Sequence, residues 1–266
     1  MTLRSLSTLA LLLIAAACAD VKTYSGPKEK LHIYVLVGQS NMSGRAKVED
    51  QDRELPRNLF LLDRTGQWVE ATHPFVQYTN VPNAEDQRVS EAAGESGLNL
   101  GLAFARKKLE ANPDVAIGLI VNSQGGSSIA SWKKGGATSN YDKTMDRIRP
   151  ALSTGVIKGV LWHHGEADHE LGEKYLEPLA DVIAQFRQDL GDPTLPFVAG
   201  QIAPRTRGQE TIEAFNQALL RLPATVPRTA VARTEDFTGN DLHFNSEETR
   251  LLGERYAEQM LKLLAR

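Results

Sequence analysis

Apolar residues fall along this chain in two rhythms. Short, compact runs rich in β-branched and aromatic residues occur at Leu31–Gln39 (LHIYVLVGQ), Val115–Asn122 (VAIGLIVN), Ile157–His164 (IKGVLWHH), Pro196–Ile202 (PFVAGQI) and Thr229–Thr234 (TAVART). Each is too short for a buried helix and is bounded by turn formers, so each is expected to be a buried strand. Between them, apolar residues return every three or four positions. Leu98, Leu102, Ala105 and Leu109 form one such stripe. Tyr175, Leu179, Val182, Ile183, Phe186 and Leu190 form a second, with Pro178 near its start, and Ile212, Phe215, Leu219 and Leu222 a third. These predict amphipathic helices. A further helix is expected over Tyr141–Leu152, stopping at Pro150. The last should begin after His243, capped by Asn245 with Glu248 three residues on, and bury Leu252, Tyr256 and Leu263. LFLLDRTGQWVEA, Leu59–Ala71, suggests a hairpin around Thr65–Gly66, and the polar stretch 72–96 a surface loop.

Strands alternating with helices imply an α/β domain: a mostly parallel, five-stranded sheet covered on both sides. In such sheets ligands bind beyond the carboxyl ends of the strands. Three polar clusters fall there: Gly38-Gln39-Ser40-Asn41, Gln124-Gly125-Gly126-Ser127 and His163-His164-Gly165-Glu166. A fourth, Asn240-Asp241-Leu242-His243, follows the fifth strand. Far apart in sequence, all four are expected to converge in space.

Residues 1–18 stand outside this pattern. An early Arg4, an apolar core at Leu9–Ile14 and a run of small residues have the layout of a secretory signal, too short to span a bilayer. The single cysteine, Cys18, sits at the expected cleavage position, where "AAAC" is similar to a lipoprotein box. The expected organisation is therefore a signal over 1–18, a polar linker over 19–30 and one domain over 31–266. The mature protein would be exported, periplasmic or on the outer membrane, with Cys18 either lipidated as a membrane tether or incidental to an ordinary Ala-x-Ala signal-peptidase site. No internal disulfide is available to one cysteine. A formal net charge of -3, with no long basic run, argues against nucleic acid as a partner.

The clusters carry the residue types of nucleophilic acyl transfer. Ser40, on a tight turn after a strand, is the candidate nucleophile and needs a base to take its proton. His243 is the candidate base. An imidazole in that role is oriented by a carboxylate, and both Glu166 and Asp241 are available. Gly125 or Gly126 brings a backbone N–H to a developing oxyanion without a side chain in the way, and His164 or Asn41 offers a side-chain donor. Gln39 is expected to fix the turn. Trp132 and Trp162 are candidates to stack on a ring, with packing the alternative for Trp162. HHGEADHE gathers metal-ligating types, but its spacing is not His-Glu-x-x-His on a helix face, so neither metal nor cofactor is expected.

GQSNMSG, GGSSIASW, WHHGEAD and DLHFNSEETRLLGERYA resemble, in order, the blocks of SGNH-type hydrolases, and more closely carbohydrate esterase family six and the related sialic-acid-specific acetylesterase domain. The resemblance runs from about Ile33 to Ala257. It implies a flavodoxin-like three-layer sandwich, no metal, and removal of acetyl groups from carbohydrate, acetylated xylan first among the substrates, by a Ser-His-acid mechanism. By position it implies Ser40 as nucleophile, His243 as base, and oxyanion donors at the Ser40 backbone, at the glycine of GGSSI and at His164. Two positions depart from the pattern. His164 replaces the usual glutamine of WHQGE, and Asn240 stands three residues before His243 where an aspartate is usual. Glu166 is the favoured acid, with Asp241 the rival. A sialate O-acetylesterase, another short-acyl esterase, and a carbohydrate-binding protein with impaired catalysis are the alternatives.

Overall fold

The computed structural model describes residues 22–78, 97–136, 138–204, 208–238 and 242–265. The leader, Cys18, Asn240 and Asp241 lie outside them. Seven strands are seen: β1 (Leu31–Gly38), β2 (Leu59–Leu62), β3 (Trp68–Glu70), β4 (Ala116–Ser123), β5 (Val156–His163), β6 (Phe197–Gly200) and β7 (Thr229–Ala232). They form one sheet in the order β3-β2-β4-β1-β5-β6-β7, parallel except for β3.

β1 runs through the middle of the sheet, which explains its unbroken apolar composition. Leu31, Ile33, Val35 and Val37 join the core on one face, and Tyr34 and Leu36 the core on the other. The first face is covered by helices Asn140–Ala151, Leu176–Leu190 and Gln209–Leu219. The second is covered by Leu100–Ala111 and Ser246–Leu264. This is the three-layer sandwich expected from the alternation.

The expected hairpin is present, closed by Asp63, whose carboxylate accepts the N–H groups of Thr65 and Gln67 at 2.8 Å. The sheet exceeds the expected five strands because β2 also pairs in parallel with β4, so the hairpin extends the sheet instead of standing apart. Helix Asn140–Ala151 runs one residue past Pro150, which has no N–H to donate to the preceding turn. The C-terminal helix has the expected capping box, with Asn245 accepting from the Glu248 N–H and Glu248 from that of Asn245.

Candidate functional site

The register places Gly38 at the end of β1 beside Ser123 of β4 and His163 of β5. Three of the four clusters therefore leave the sheet side by side. Gly38 has φ +148°, and a Cβ there would lie 1.9 Å from the His163 carbonyl oxygen, so only glycine lets β1 and β5 end this close together. The chain then enters a single helical turn, Ser40–Ser43, capped by the Gln39 carbonyl, which accepts from the N–H groups of Met42 and Ser43 at 3.0 Å.

Gln39 holds three loops together. Its Nε2 donates to the Ser127 carbonyl at 2.6 Å, and its Oε1 accepts from Gly165 N at 2.9 Å and Glu166 N at 3.0 Å. The expectation that Gln39 fixes the turn matches this geometry, but its reach extends beyond the turn to both neighbouring loops. Gly165 has φ +143° and packs against the next layer, where a Cβ would meet Phe215 Cζ at 2.3 Å.

Ser40 and His243, 203 positions apart, meet directly. His243 Nε2 lies 2.9 Å from Ser40 Oγ, the distance at which a neutral imidazole accepts the hydroxyl proton. Ser40 is buried and His243 half-buried. Asn41 clasps the histidine loop on both sides: Nδ2 donates to the Leu242 carbonyl at 3.2 Å, and Oδ1 accepts from Phe244 N at 3.2 Å. The same Nδ2 donates to Glu166 Oε1 at 2.6 Å. Both of its protons are thus engaged within the protein, and Asn41 positions the loop instead of donating to an oxyanion.

Glu166, the favoured partner of His243, is directed elsewhere. Its side chain is 6% exposed, and Oε1 meets Asn41 and, at 3.4 Å, His163 Nε2. Among the described residues no hydrogen bond joins it to His243. Burial opposes ionisation of this carboxyl, but the facing His163 imidazole and the Asn41 amide outweigh it and bring the pKa down to about 2. His163 in turn lies 3.2 Å from the Tyr256 hydroxyl, which donates to the Trp162 carbonyl at 2.6 Å.

The structure also corrects the reading of His164 as an oxyanion donor. Successive residues at a strand end point to opposite faces. His163 faces Phe244 and Tyr256, whereas His164 sits among Trp132, Trp162 and Tyr175 on the other side. The His164 Nδ1 meets the Tyr175 hydroxyl at 2.9 Å, and burial pushes its pKa down to about 3, so it is a neutral core residue. The opposed orientations also keep the two histidines from sharing an ion. Trp132 and Trp162 are both fully buried, edge to face at 5.0 Å, so neither stacks on a ligand. Asp168 ties this loop to the glycine-rich one by accepting from Ile129 N at 2.8 Å. Gly125 and Gly126 form a turn between Gln124 and Ser127, and Gly126, with φ +67°, has open space beside its Cα.

A serine hydroxyl in contact with an imidazole, with glycine turns around it, is an arrangement suited to attack on an acyl carbon. Residues 30–262 match the family described as carbohydrate esterase, sialic acid-specific acetylesterase, and the chain belongs to that family of carbohydrate acetylesterases. A probable carbohydrate esterase of Arabidopsis thaliana is 29% identical over 265 residues, covering 91% of this chain and 95% of its own. The solved structure of that plant protein superposes with a TM-score of 0.71 at 25% identity, covering 88% of this chain and 98% of the other. A carbohydrate acetylesterase from Xanthomonas citri shares the fold at a TM-score of 0.66 and 23% identity, over 88% of this chain and 56% of that one. NanS shares it at a TM-score of 0.61 and 16% identity, over 90% and 98%.

Proposed function

We propose that this protein is an exported serine esterase that removes O-acetyl groups from carbohydrate through an acetyl-enzyme on Ser40. The observation that carries the proposal is the 2.9 Å contact between Ser40 Oγ and His243 Nε2. His243 takes the hydroxyl proton as Ser40 Oγ attacks the acetyl carbonyl carbon. The imidazolium returns that proton to the departing sugar oxygen. Water, deprotonated by the same imidazole, then attacks the acetyl-enzyme and frees acetate. The backbone N–H of Ser40 and one from the Gly125–Gly126 turn are the proposed oxyanion donors. Because Glu166 is engaged by Asn41 and His163, the acid proposed to orient His243 is now Asp241, two residues before it. Acetylated xylan is the first proposed substrate and O-acetylated sialic acid the second. Export and a lipid on Cys18 rest on the sequence of residues 1–18 alone.

Acetate release from 4-nitrophenyl acetate and from acetylated xylan, measured for the parent, Ser40→Ala, Asp241→Asn and Glu166→Gln, tests this reading. The expectation is no turnover by Ser40→Ala and a loss for Asp241→Asn of about 10⁴-fold in kcat. Glu166→Gln should lose less, because Gln retains an oxygen for Asn41. Equal rates in parent and Ser40→Ala would end the serine mechanism, and the reverse ranking of the two acids would restore Glu166 as the orienting acid.

A further inference from the structure

Beyond the carboxyl ends of β6 and β7, outside the Ser40 site, lies a groove of about 310 Å³. Gln209, Glu213 and Gln217 line one wall, Pro204 and Ile212 contribute apolar surface, and Glu235 stands on the far side. The three wall residues recur every fourth position of helix Gln209–Leu219, so they share one face over about 12 Å of helix. All three are exposed, and none makes a side-chain hydrogen bond or ion pair among the described residues. The groove's inner polar groups are already satisfied. Asn216 holds both polar backbone groups of Ile202, at 2.9 and 3.0 Å, and Thr234 Oγ1 donates to the Ile202 carbonyl. Glu235 is met by Arg233 at 2.7 Å.

We propose, resting on the esterase reading above, that this groove is a subsite for the unreacted part of a neutral glycan chain whose acetylated unit sits at Ser40. Amide and carboxylate side chains beside an apolar floor suit a ligand with many hydroxyls and apolar ring faces: hydroxyls donate to Glu213 and exchange bonds with Gln209 and Gln217. A Glu213 carboxylate with no ion pair among the described residues disfavours an anionic sugar. The position fits as well. From β1, which carries Ser40, to the space between β6 and β7 is two and a half strand spacings, about 12 Å. The helix that lines the groove is anchored by its other side to the loop after β5, where Phe215 packs on the Gly165 turn and Thr211 Oγ1 meets His169 Nδ1 at 2.8 Å.

Titration calorimetry on the full chain carrying Ser40→Ala tests the subsite apart from catalysis. The probes are xylohexaose, cellohexaose and a hexamer of galacturonic acid. The expectation is binding of at least one neutral hexamer and at least tenfold weaker binding when Glu213→Ala and Gln217→Ala are added, with a thermal midpoint like that of the Ser40→Ala protein. No binding of either neutral hexamer, unchanged binding in the triple variant, or tighter binding of the acidic hexamer would overturn the proposal. Turnover of 4-nitrophenyl acetate by the parent reports separately on the esterase reading, because that ester is too small to reach the groove.

Discussion

Asn41 makes three bonds, two that bracket His243 and one to Glu166, and removing them separates positioning from chemistry. In Asn41→Ala, a bond to an ionised carboxylate is lost, contributing about 1.5–3 kcal/mol, with two neutral ones contributing about 0.5–1.5 kcal/mol each. The folded state should lose roughly 2.5–6 kcal/mol if no water replaces them. Freed of its clasp, the His243 loop need shift only about 1 Å to cost about 10²-fold in rate. Asn41→Asp is the sharper probe. It keeps the shape and the acceptor for Phe244 N but sets an oxygen where Nδ2 lies 2.6 Å from Glu166 Oε1. Two carboxylates that close do not both ionise, so one holds a proton and recovers a donor as the pH falls. Urea unfolding and kcat/KM for 4-nitrophenyl acetate, from about pH 5 to 8, are the assays. Asn41→Ala should lose activity at every pH, whereas the ratio of Asn41→Asp to parent should rise as pH falls. An Asn41→Ala protein within about threefold of the parent in kcat/KM would refute the clasp, as would a flat Asn41→Asp ratio.

Two further outcomes follow from contacts around the site. Gly38→Ala drives a methyl group into the His163 carbonyl and should cost more than about 4 kcal/mol or abolish folding, read by urea unfolding or by the yield of soluble protein; parent-like stability would mean that β1 and β5 can part there at little cost. His164, held near a pKa of about 3 by burial, against about 6.5 in the unfolded chain, contributes stability that is present above about pH 6.5 and is lost as pH falls toward 3. His164→Gln should therefore flatten the decline in unfolding free energy between about pH 6.5 and 4.5. His32, lowered to about 4 by burial and nearby lysines, keeps part of that slope. Glu166 adds its own loss only below about pH 4.3, its pKa falling from the unfolded value to about 2. Parallel pH profiles for parent and variant would count against a neutral His164.

Much of this was legible in the residue pattern, for identifiable reasons. The central strands carry their burial in their composition, and the position of each polar cluster just past a strand end follows from chain direction alone. The Ser40–His243 pairing followed from residue type and block order. The parallel pairing of β2 with β4 was not legible, because a strong local turn signal accounts for Leu59–Ala71 without revealing its neighbour. The side on which His164 lies was not legible for a related reason. Which face a side chain takes after a strand depends on where the strand stops, and an offset of one residue exchanges core for cleft. The amide that engages Glu166 is 125 positions away at Asn41, beyond the reach of local pattern.

Gln39 shows a division of tasks within the molecule. One amide is bonded at both ends to loops that carry candidate chemistry, so any change there disturbs several parts at once. Among the described residues, Gln209, Glu213 and Gln217 on the exposed wall of helix Gln209–Leu219 make no side-chain bond inside the protein. Substitution along that wall is free of internal penalties, whereas substitution at the turn is not. Under the subsite proposed above, substrate range would drift across descendants of this sequence without touching the Ser40–His243 pair, and a library confined to the outer face of that helix is where altered preference should be sought.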